Sequence, residues 1–284
     1  MDSRSLREKG ICFFSRPYPE LYNYYEMIDA CVAFGIKQLE AFNFMELSSP
    51  DEEAARKLRR YADEKGVSFC CMSCFADLTG ENGQAHTENM KGYTRVAAIL
   101  GAPYIHHTVI SEYRDPNKIL PIRQQLFDEV APRIREIYDY AQTLGILAVY
   151  EDQGFALNGV EGFQEFLDAV DRPVGVVADL GNILQAGETI EPFIRAFGPR
   201  IVHVHLKDYV LPAWEGDPEA CRTVDGKQLQ EVPLGDGVVD SAGAVKLLRQ
   251  FGYQGLLSME VTEPADGSLP TEQAIRRVES WLAQ

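Results

Sequence analysis

Eight short runs of apolar, β-forming residues recur along the 284-residue chain, separated by segments that carry apolar residues at helical spacing. This alternation predicts one α/β domain over residues 1–284, a (β/α)8 TIM barrel with its active site at the C-terminal ends of the strands. The predicted strands are GICFFS (10–15), KQLEAF (37–42), VSFCCMSC (67–74), PYIHHTVI (103–110), LAVYED (147–152), VGVVADLGN (174–182), IVHVHLKD (201–208) and GLLSMEV (255–261).

An open, doubly wound sheet is the structural alternative, but such a sheet is expected to carry a glycine-rich phosphate turn after its first strand. The segment at that place, FFSRPYPE (13–20), has no such turn. A long loop at about residues 209–240, between the seventh strand and its helix, interrupts the regular alternation. Loops of this length in compact domains are usually functional lids or disordered segments.

Charge and composition narrow the classes of partner. The chain has 27 Lys plus Arg against 43 Asp plus Glu, and the resulting net charge of −16 repels a nucleic-acid backbone. No apolar stretch approaches the roughly 20 residues of a membrane span, and no signal peptide is evident. We therefore expect a cytoplasmic protein with a small carbohydrate as partner, no nucleic acid and no membrane; a homo-oligomer stays open. The six cysteines are expected to be reduced, buried thiols.

Polar residues close four successive strands of the predicted barrel. Glu151 ends the fifth strand, Asp179 the sixth and Glu260 the eighth, and His205 lies near the end of the seventh. Each alone has an ordinary structural explanation, but together they would place three carboxylates and one imidazole at one level of the barrel mouth. Like charges at short range oppose folding, and a divalent cation removes that opposition. This donor set predicts Mn²⁺, with Mg²⁺ or Co²⁺ as alternatives.

The chain resembles the sugar phosphate isomerase/epimerase family, the xylose-isomerase-like barrels. The resemblance rests on VYED around Glu151, VADLGN around Asp179, HVHLKD around His205 and PLGDGVVDSAGAVKLLRQFGYQGLLSMEV, which ends near Glu260. It implies that these four residues are the metal ligands and that Glu151 and Glu260 are also the catalytic acid and base. Asn182 stands where several relatives have a histidine, and the segment after Glu151 lacks the Asn-Arg signature of the free-ketose 3-epimerases.

The resemblance implies a divalent-metal-dependent isomerase or epimerase that acts on a keto-sugar or related polyol by proton transfer through an enediolate. A metal-dependent dehydratase or lyase of the inosose or 3-dehydroshikimate type is the alternative, because the same enolate could expel a β-hydroxyl. A catalytically inert ligand-binding barrel is a minor alternative. The apurinic endonuclease branch of the superfamily is disfavoured by the five histidines and the negative charge.

Four further residues are predicted to bind substrate. His107 is preferred to His106 because it lies nearer the end of its strand. Lys207 shares the inward parity of His205, so it is expected to reach a substrate oxygen or to pair with a ligand carboxylate. Asn182 and Trp214 complete the set, Trp214 as an aromatic residue of the long loop. His203 is expected one layer below His205, as a residue that orients the site.

Overall fold

Eight parallel strands close into a barrel in the computed structural model of the protein, which describes residues 3–15, 22–110, 115–212, 221–260 and 272–284. The prediction of a (β/α)8 barrel is confirmed, because each of the eight predicted runs contains one strand. The barrel strands are β1 (Ile11–Phe14), β2 (Gln38–Phe42), β3 (Ser68–Cys74), β4 (Tyr104–His107), β5 (Leu147–Glu151), β6 (Gly175–Asp179), β7 (Ile201–Leu206) and β10 (Leu257–Met259).

Helices surround the barrel, and local signals fix their ends. Asn23 and Glu26 form a capping box at the start of α2 (Tyr24–Phe34). Asp51 caps α3, and Gly66 ends that helix with a φ of 71°, a left-handed conformation that favours glycine. The helices are α1 (Ser3–Gly10), α2 (Tyr24–Phe34), α3 (Glu52–Lys65), α4 (Gly83–Leu100), α5 (Pro116–Ile119), α6 (Arg123–Thr143), α7 (Val160–Val170), α8 (Ile190–Phe197), α9 (Ser241–Gln250) and α10 (Glu272–Leu282). Within the described ranges, none of them is long and apolar enough to cross a membrane.

Alternation along the strands separates two apolar layers, except that the register between β2 and β3 shifts at Leu39 and Glu40, so that the adjacent Cys70 and Cys71 fall in one cluster. The larger layer lies between the strands and the helices, and a small cluster of Cys12, Cys70 and Cys71 lies on the other face of the sheet, inside the barrel. Cys74 belongs to the outer layer, so Cys71 and Cys74 face opposite ways as the strand pattern predicts. All six cysteines are free, and all but Cys221 are buried.

The long segment after β7 contains a small antiparallel pair, β8 (Tyr209–Val210) and β9 (Gln230–Glu231). The buried carboxylate of Asp208 holds this segment, because it accepts hydrogen bonds from four backbone N–H groups at 2.8–3.1 Å. A Cβ at Gly237 would collide with this carboxylate, so only glycine permits the approach. The segment is therefore anchored to the end of β7. The donors are the amides of Tyr209, Gly235, Gly237 and Val239.

Candidate active site

The C-terminal ends of four neighbouring strands bring the four predicted metal ligands together. Glu151, Asp179, His205 and Glu260 are all at most 5% exposed, and each offers a ligand atom within 4.8 Å of the others. The register places Asp179 directly beside His205, and His205 beside the residue two before Glu260. Sequence reasoning therefore selected residues that the fold does assemble.

The distances within this group suit a divalent cation. The Nδ1 atom of His205 lies 3.0 Å from Oε2 of Glu151 and 3.3 Å from Oε2 of Glu260. One oxygen of Asp179, Oδ1, accepts hydrogen bonds from backbone amides of the following turn, which leaves Oδ2 facing the group. Three carboxylates and one imidazole are the donor set of a hard or borderline octahedral ion, so the residues present fit such an ion.

Lys207 lies directly above the group and pairs with two of its carboxylates. Its Nζ atom is 2.9 Å from Oδ2 of Asp179 and 3.0 Å from Oε1 of Glu260. The sequence prediction offered a ligand carboxylate as one partner of this lysine, and the structure places it there. The same Nζ lies 3.4 Å from Oδ1 of Asn182, so one ammonium group connects the carboxylates with the predicted substrate contact.

Opposing effects set the charge state of the group. Burial alone would raise the pKa of Glu151, but His106 and His205 outweigh burial and lower it to about 2. For Asp179 burial wins over the attraction of Lys207, and its pKa is raised. Burial would lower the pKa of Lys207, but the charges of Asp179 and Glu260 raise it well above its usual value. The ammonium therefore remains charged and offsets part of the carboxylate repulsion.

Glu40 is a residue beside the predicted ligands that the sequence analysis did not select. Its carboxylate is fully buried inside the barrel and accepts four hydrogen bonds, from Ser73, Ser258, His203 and His205. Burial would raise its pKa, but the two histidines hold the pKa well below its usual range. The available signal was a single acid between the apolar residues Leu39 and Ala41 of a predicted strand.

Glu40 fixes which nitrogen of His205 faces the predicted ligands. The Nε2 atom of His205 lies 3.0 Å from Oε1 of Glu40, so Nδ1 is the atom turned toward Glu151 and Glu260. His203 binds the other oxygen of Glu40 at 2.7 Å. It therefore lies below the group and acts on His205 through Glu40. A carboxylate behind a ligating histidine is a common way to hold a metal-binding imidazole in place.

The preference for His107 over His106 as a substrate contact is wrong. His107 faces the helix layer, where Nδ1 pairs with the carbonyl of Thr108 and Nε2 lies 3.0 Å from the hydroxyl of Tyr150. His106 faces the cavity, with Nε2 3.8 Å from Oε1 of Glu151. Adjacent strand residues point to opposite faces, and position along the strand does not reveal which face is inside.

A cavity of about 320 Å³ opens above the four carboxylate and imidazole groups. Asn182 and Lys207 line it, so both stand where the prediction requires, and their contact with substrate stays a prediction. Trp214, the fourth predicted substrate contact, lies outside the described residues. Gln185 and Glu231 are lining residues that the sequence analysis did not select.

Comparisons with known proteins agree with the architecture. Residues 28–284 match the sequence profile of the xylose isomerase-like TIM barrel family. The chain is similar to the inosose dehydratase of Klebsiella pneumoniae, at 31% identity over 163 residues, which is 52% of this chain and 53% of that enzyme. The chain thus spans about half the length of the curated relatives it matches first.

Two solved structures share the fold at low sequence identity. One is the IolI protein with a bound zinc atom, at a TM-score of 0.73 and 19% identity over 96% of both chains. The other is a xylose isomerase-like TIM barrel protein from Mycobacterium smegmatis in complex with magnesium, at a TM-score of 0.72 and 16% identity. That match covers 99% of this chain and 98% of the other.

Proposed function

Because the chain belongs to the xylose isomerase-like TIM barrel family, we propose that it is a divalent-metal-dependent isomerase or epimerase of a keto-sugar or related cyclic polyol. The observation that carries the proposal is the placement of Glu151 and Glu260. They come from β5 and from the end of β10, and both approach Nδ1 of His205, within 3.0 Å and 3.3 Å. Two carboxylates from different strands at one centre can remove a proton and return it.

Glu151, Asp179, His205 and Glu260 would hold the ion, with Mn²⁺ as the proposed metal and Mg²⁺ or Co²⁺ as alternatives. When bound, the ion would supply Lewis-acid polarisation of the substrate carbonyl. Relatives with similar folds contain zinc or magnesium, which supports a divalent ion of some kind. A cytoplasmic location and a homo-oligomer stay predictions.

The protein's own residues divide the remaining work. One of Glu151 and Glu260 takes the proton from the carbon beside the ketone, and the other returns it to the same or the neighbouring carbon. Lys207 places a positive charge beside the reacting oxygens, where negative charge develops as the proton leaves. Asn182 and His106 line the same cavity and would bind hydroxyl groups of the substrate.

A dehydratase is the second candidate, and the similarity to inosose dehydratase favours it. Its first step is the same proton removal. The two reactions differ after this step, because in the dehydratase the hydroxyl on the carbon β to the ketone leaves as water. The four predicted ligands serve both reactions, so the product distinguishes them.

The test is a screen of keto-sugars and 2-keto-myo-inositol in D₂O with Mn²⁺, followed by NMR and mass spectrometry. Isomerase or epimerase activity predicts uptake of solvent deuterium without loss of water, whereas a dehydratase product has lost water. Glu260→Gln should abolish the exchange, and Glu191→Gln, a matched change on the exposed face of α8, should leave it intact. Absence of metal-dependent exchange in every compound would overturn the proposal.

A further inference from the structure

The cavity above the predicted metal ligands has two chemically different parts. Its floor is polar and carries His106, Asn182, Gln185 and Lys207 together with Glu151 and Glu260. Its wall is apolar and is built by segments that follow β3, β4 and β5, with a contribution from α5. We name as the apolar wall the residues Phe75, Val109, Ile110, Ile119, Phe155 and Leu157.

The floor has buried polar atoms that make no hydrogen bond with the described residues. Among the described residues, Nε2 of His106, Nδ2 of Asn182 and Oε1 of Gln185 are buried without a hydrogen-bond partner. Native proteins rarely leave such atoms unsatisfied, and unsatisfied atoms that line a cavity indicate a polar ligand. Donors and acceptors together suit the hydroxyl groups of a sugar ring, so the ring belongs on the floor.

The six side chains of the apolar wall offer no hydrogen bonds, although Thr108 and Gln153, which follow the same strands, also line the cavity. Hydroxyl groups placed against the apolar wall would lose water without gaining hydrogen bonds, which is unfavourable. An apolar substituent placed there would instead gain from burial. Phe75 extends the wall to the mouth, where 52% of this large aromatic residue is exposed. Such an exposed ring beside a cavity offers a stacking surface for another aromatic group.

Among the described lining residues, the charges do not favour a phosphorylated substrate. Of the described residues that line the cavity, Lys207 is the one cation besides histidine, and it is already paired with Asp179 and Glu260. A phosphate would need donors that the apolar wall lacks.

We propose that the substrate is a ketone-bearing glycoside, whose sugar ring lies on the polar floor and whose aromatic aglycone lies against the apolar wall. The ketone rests on the proposed function, whereas the aglycone rests on the cavity alone. The inference thus narrows the substrate class from keto-polyols in general to those that carry an apolar substituent.

Calorimetric binding of two glucosides to the Mn²⁺-loaded protein tests the aglycone site without turnover, because neither contains a ketone. We expect 4-nitrophenyl β-D-glucoside to bind at least about 30-fold more tightly than methyl β-D-glucoside, which corresponds to about 2 kcal/mol. Equal affinities, or no binding of either glucoside, would overturn the inference. Tighter binding of glucose 6-phosphate than of the aryl glucoside would overturn it in favour of a phosphate.

Variants locate the effect on the wall. Ala156→Phe, which fills the cavity beside the wall, should abolish the preference for the aryl glucoside, and Phe75→Ala should reduce it several-fold. Phe251→Ala is the matched control, since Phe251 is also partly exposed but does not line the cavity. Thermal unfolding and Mn²⁺ stoichiometry establish that each variant is folded. A preference that persists in folded Ala156→Phe would contradict the assignment.

The two proposals fail separately. Deuterium exchange into 2-keto-myo-inositol, which has no aglycone, tests proton transfer alone. Exchange together with equal glucoside affinities would retain the isomerase proposal and remove the aglycone site. Tighter binding of the aryl glucoside without any deuterium exchange would retain the aglycone site and remove the isomerase proposal. The protein would then be a glycoside-binding barrel.

Discussion

At the scale of single residues, His205 has acids at both of its ring nitrogens. Glu151 and Glu260 face its Nδ1 atom, and Glu40 holds its Nε2 atom. His203 touches Glu40, at the far oxygen of its carboxylate. The contribution of each neighbour to metal affinity should therefore fall with its distance from Nδ1.

Substitutions along this chain of contacts should give a graded loss of metal affinity. His205→Ala should abolish Mn²⁺ binding because it removes the single nitrogen ligand. Glu40→Gln and His203→Ala should weaken binding by about 10–100-fold, the usual effect of losing a residue behind a ligand. Equilibrium dialysis with metal analysis measures all three.

Two further observations make this experiment decisive. Glu191→Gln, on the exposed face of α8, should bind Mn²⁺ like the unchanged protein. In Co²⁺-loaded protein, Glu40→Gln should also shift the visible absorption bands, because the imidazole is reoriented. Unaltered affinity and spectrum in Glu40→Gln would show that Glu40 does not position His205.

His107 predicts a loss of stability in acid. It is 1% exposed, and burial lowers its pKa to about 4, against about 6.5 in an unfolded chain. Below the higher value the unfolded chain binds a proton that the folded chain does not, so stability is complete above about pH 6.5 and declines toward pH 4. From pH 7 to pH 5 this residue should remove about 2 kcal/mol from the free energy of unfolding.

Urea unfolding at the two pH values measures the effect. His107→Gln should lose about 2 kcal/mol less on acidification than the unchanged protein. His86→Gln, on the partly exposed face of α4, should show the same acid loss as the unchanged protein. If His107→Gln and the unchanged protein lose equal stability, His107 is not the acid-sensitive group.

At the scale of elements, the strands and the residues at their ends could be predicted from the sequence, because parallel strands align their carboxyl ends at one rim of the barrel. Glu151, Asp179, His205 and Glu260 could be selected in this way. The contact of Glu40 with His203 could not be predicted, since the two residues are 163 positions apart and meet only when the barrel closes. The sequence predicted His107 in the cavity in place of His106 for a similar reason. Alternation shows that the two residues lie on opposite faces of the strand, but it does not show which face is inside the barrel.

The segment after β7 shows a second limit of pattern reading. It carries little periodicity, and one carboxylate that binds four amides anchors its described residues Gly235, Gly237 and Val239 to the end of β7. Asp208→Asn would replace one accepting oxygen by a donor that faces N–H groups. We expect a loss of about 1–3 kcal/mol in the free energy of unfolding and faster amide exchange at Gly235 and Gly237.

Hydrogen exchange resolved by NMR or mass spectrometry checks this expectation. Asp236→Asn is the matched control in the same loop, because the carboxylate of Asp236 pairs with Arg277 at the surface, at 2.8 Å. Such a pair contributes at most about 1 kcal/mol, so the amides near it should keep their protection. Equal effects of the two substitutions would argue that Asp208 does not anchor the segment.

At the scale of the whole molecule, metal binding and folding should be coupled. The predicted ligands come from four strands, so the unfolded chain has no formed site. At 100 times its dissociation constant, Mn²⁺ should add about 2.7 kcal/mol to the stability of the fold and raise the Tm by about 5 °C.

Calorimetry or circular dichroism with and without EDTA measures the shift. The protein with His205→Ala should show no response to Mn²⁺. Failure of Mn²⁺, Mg²⁺ and Co²⁺ alike to raise the Tm of the unchanged protein would contradict the metal assignment.

The network around Glu40 joins two halves of the barrel that contribute different residues, because Glu40 on β2 binds His203 and His205 on β7. Strands β5, β6, β7 and β10 supply every predicted ligand, whereas Glu40 and Ser73 come from β2 and β3. The half that contains β2 and β3 also contributes Phe75 and Val109 to the apolar wall. Recombination between half-barrels of this family could therefore vary metal affinity and substrate choice while each chimera inherits a complete set of ligands.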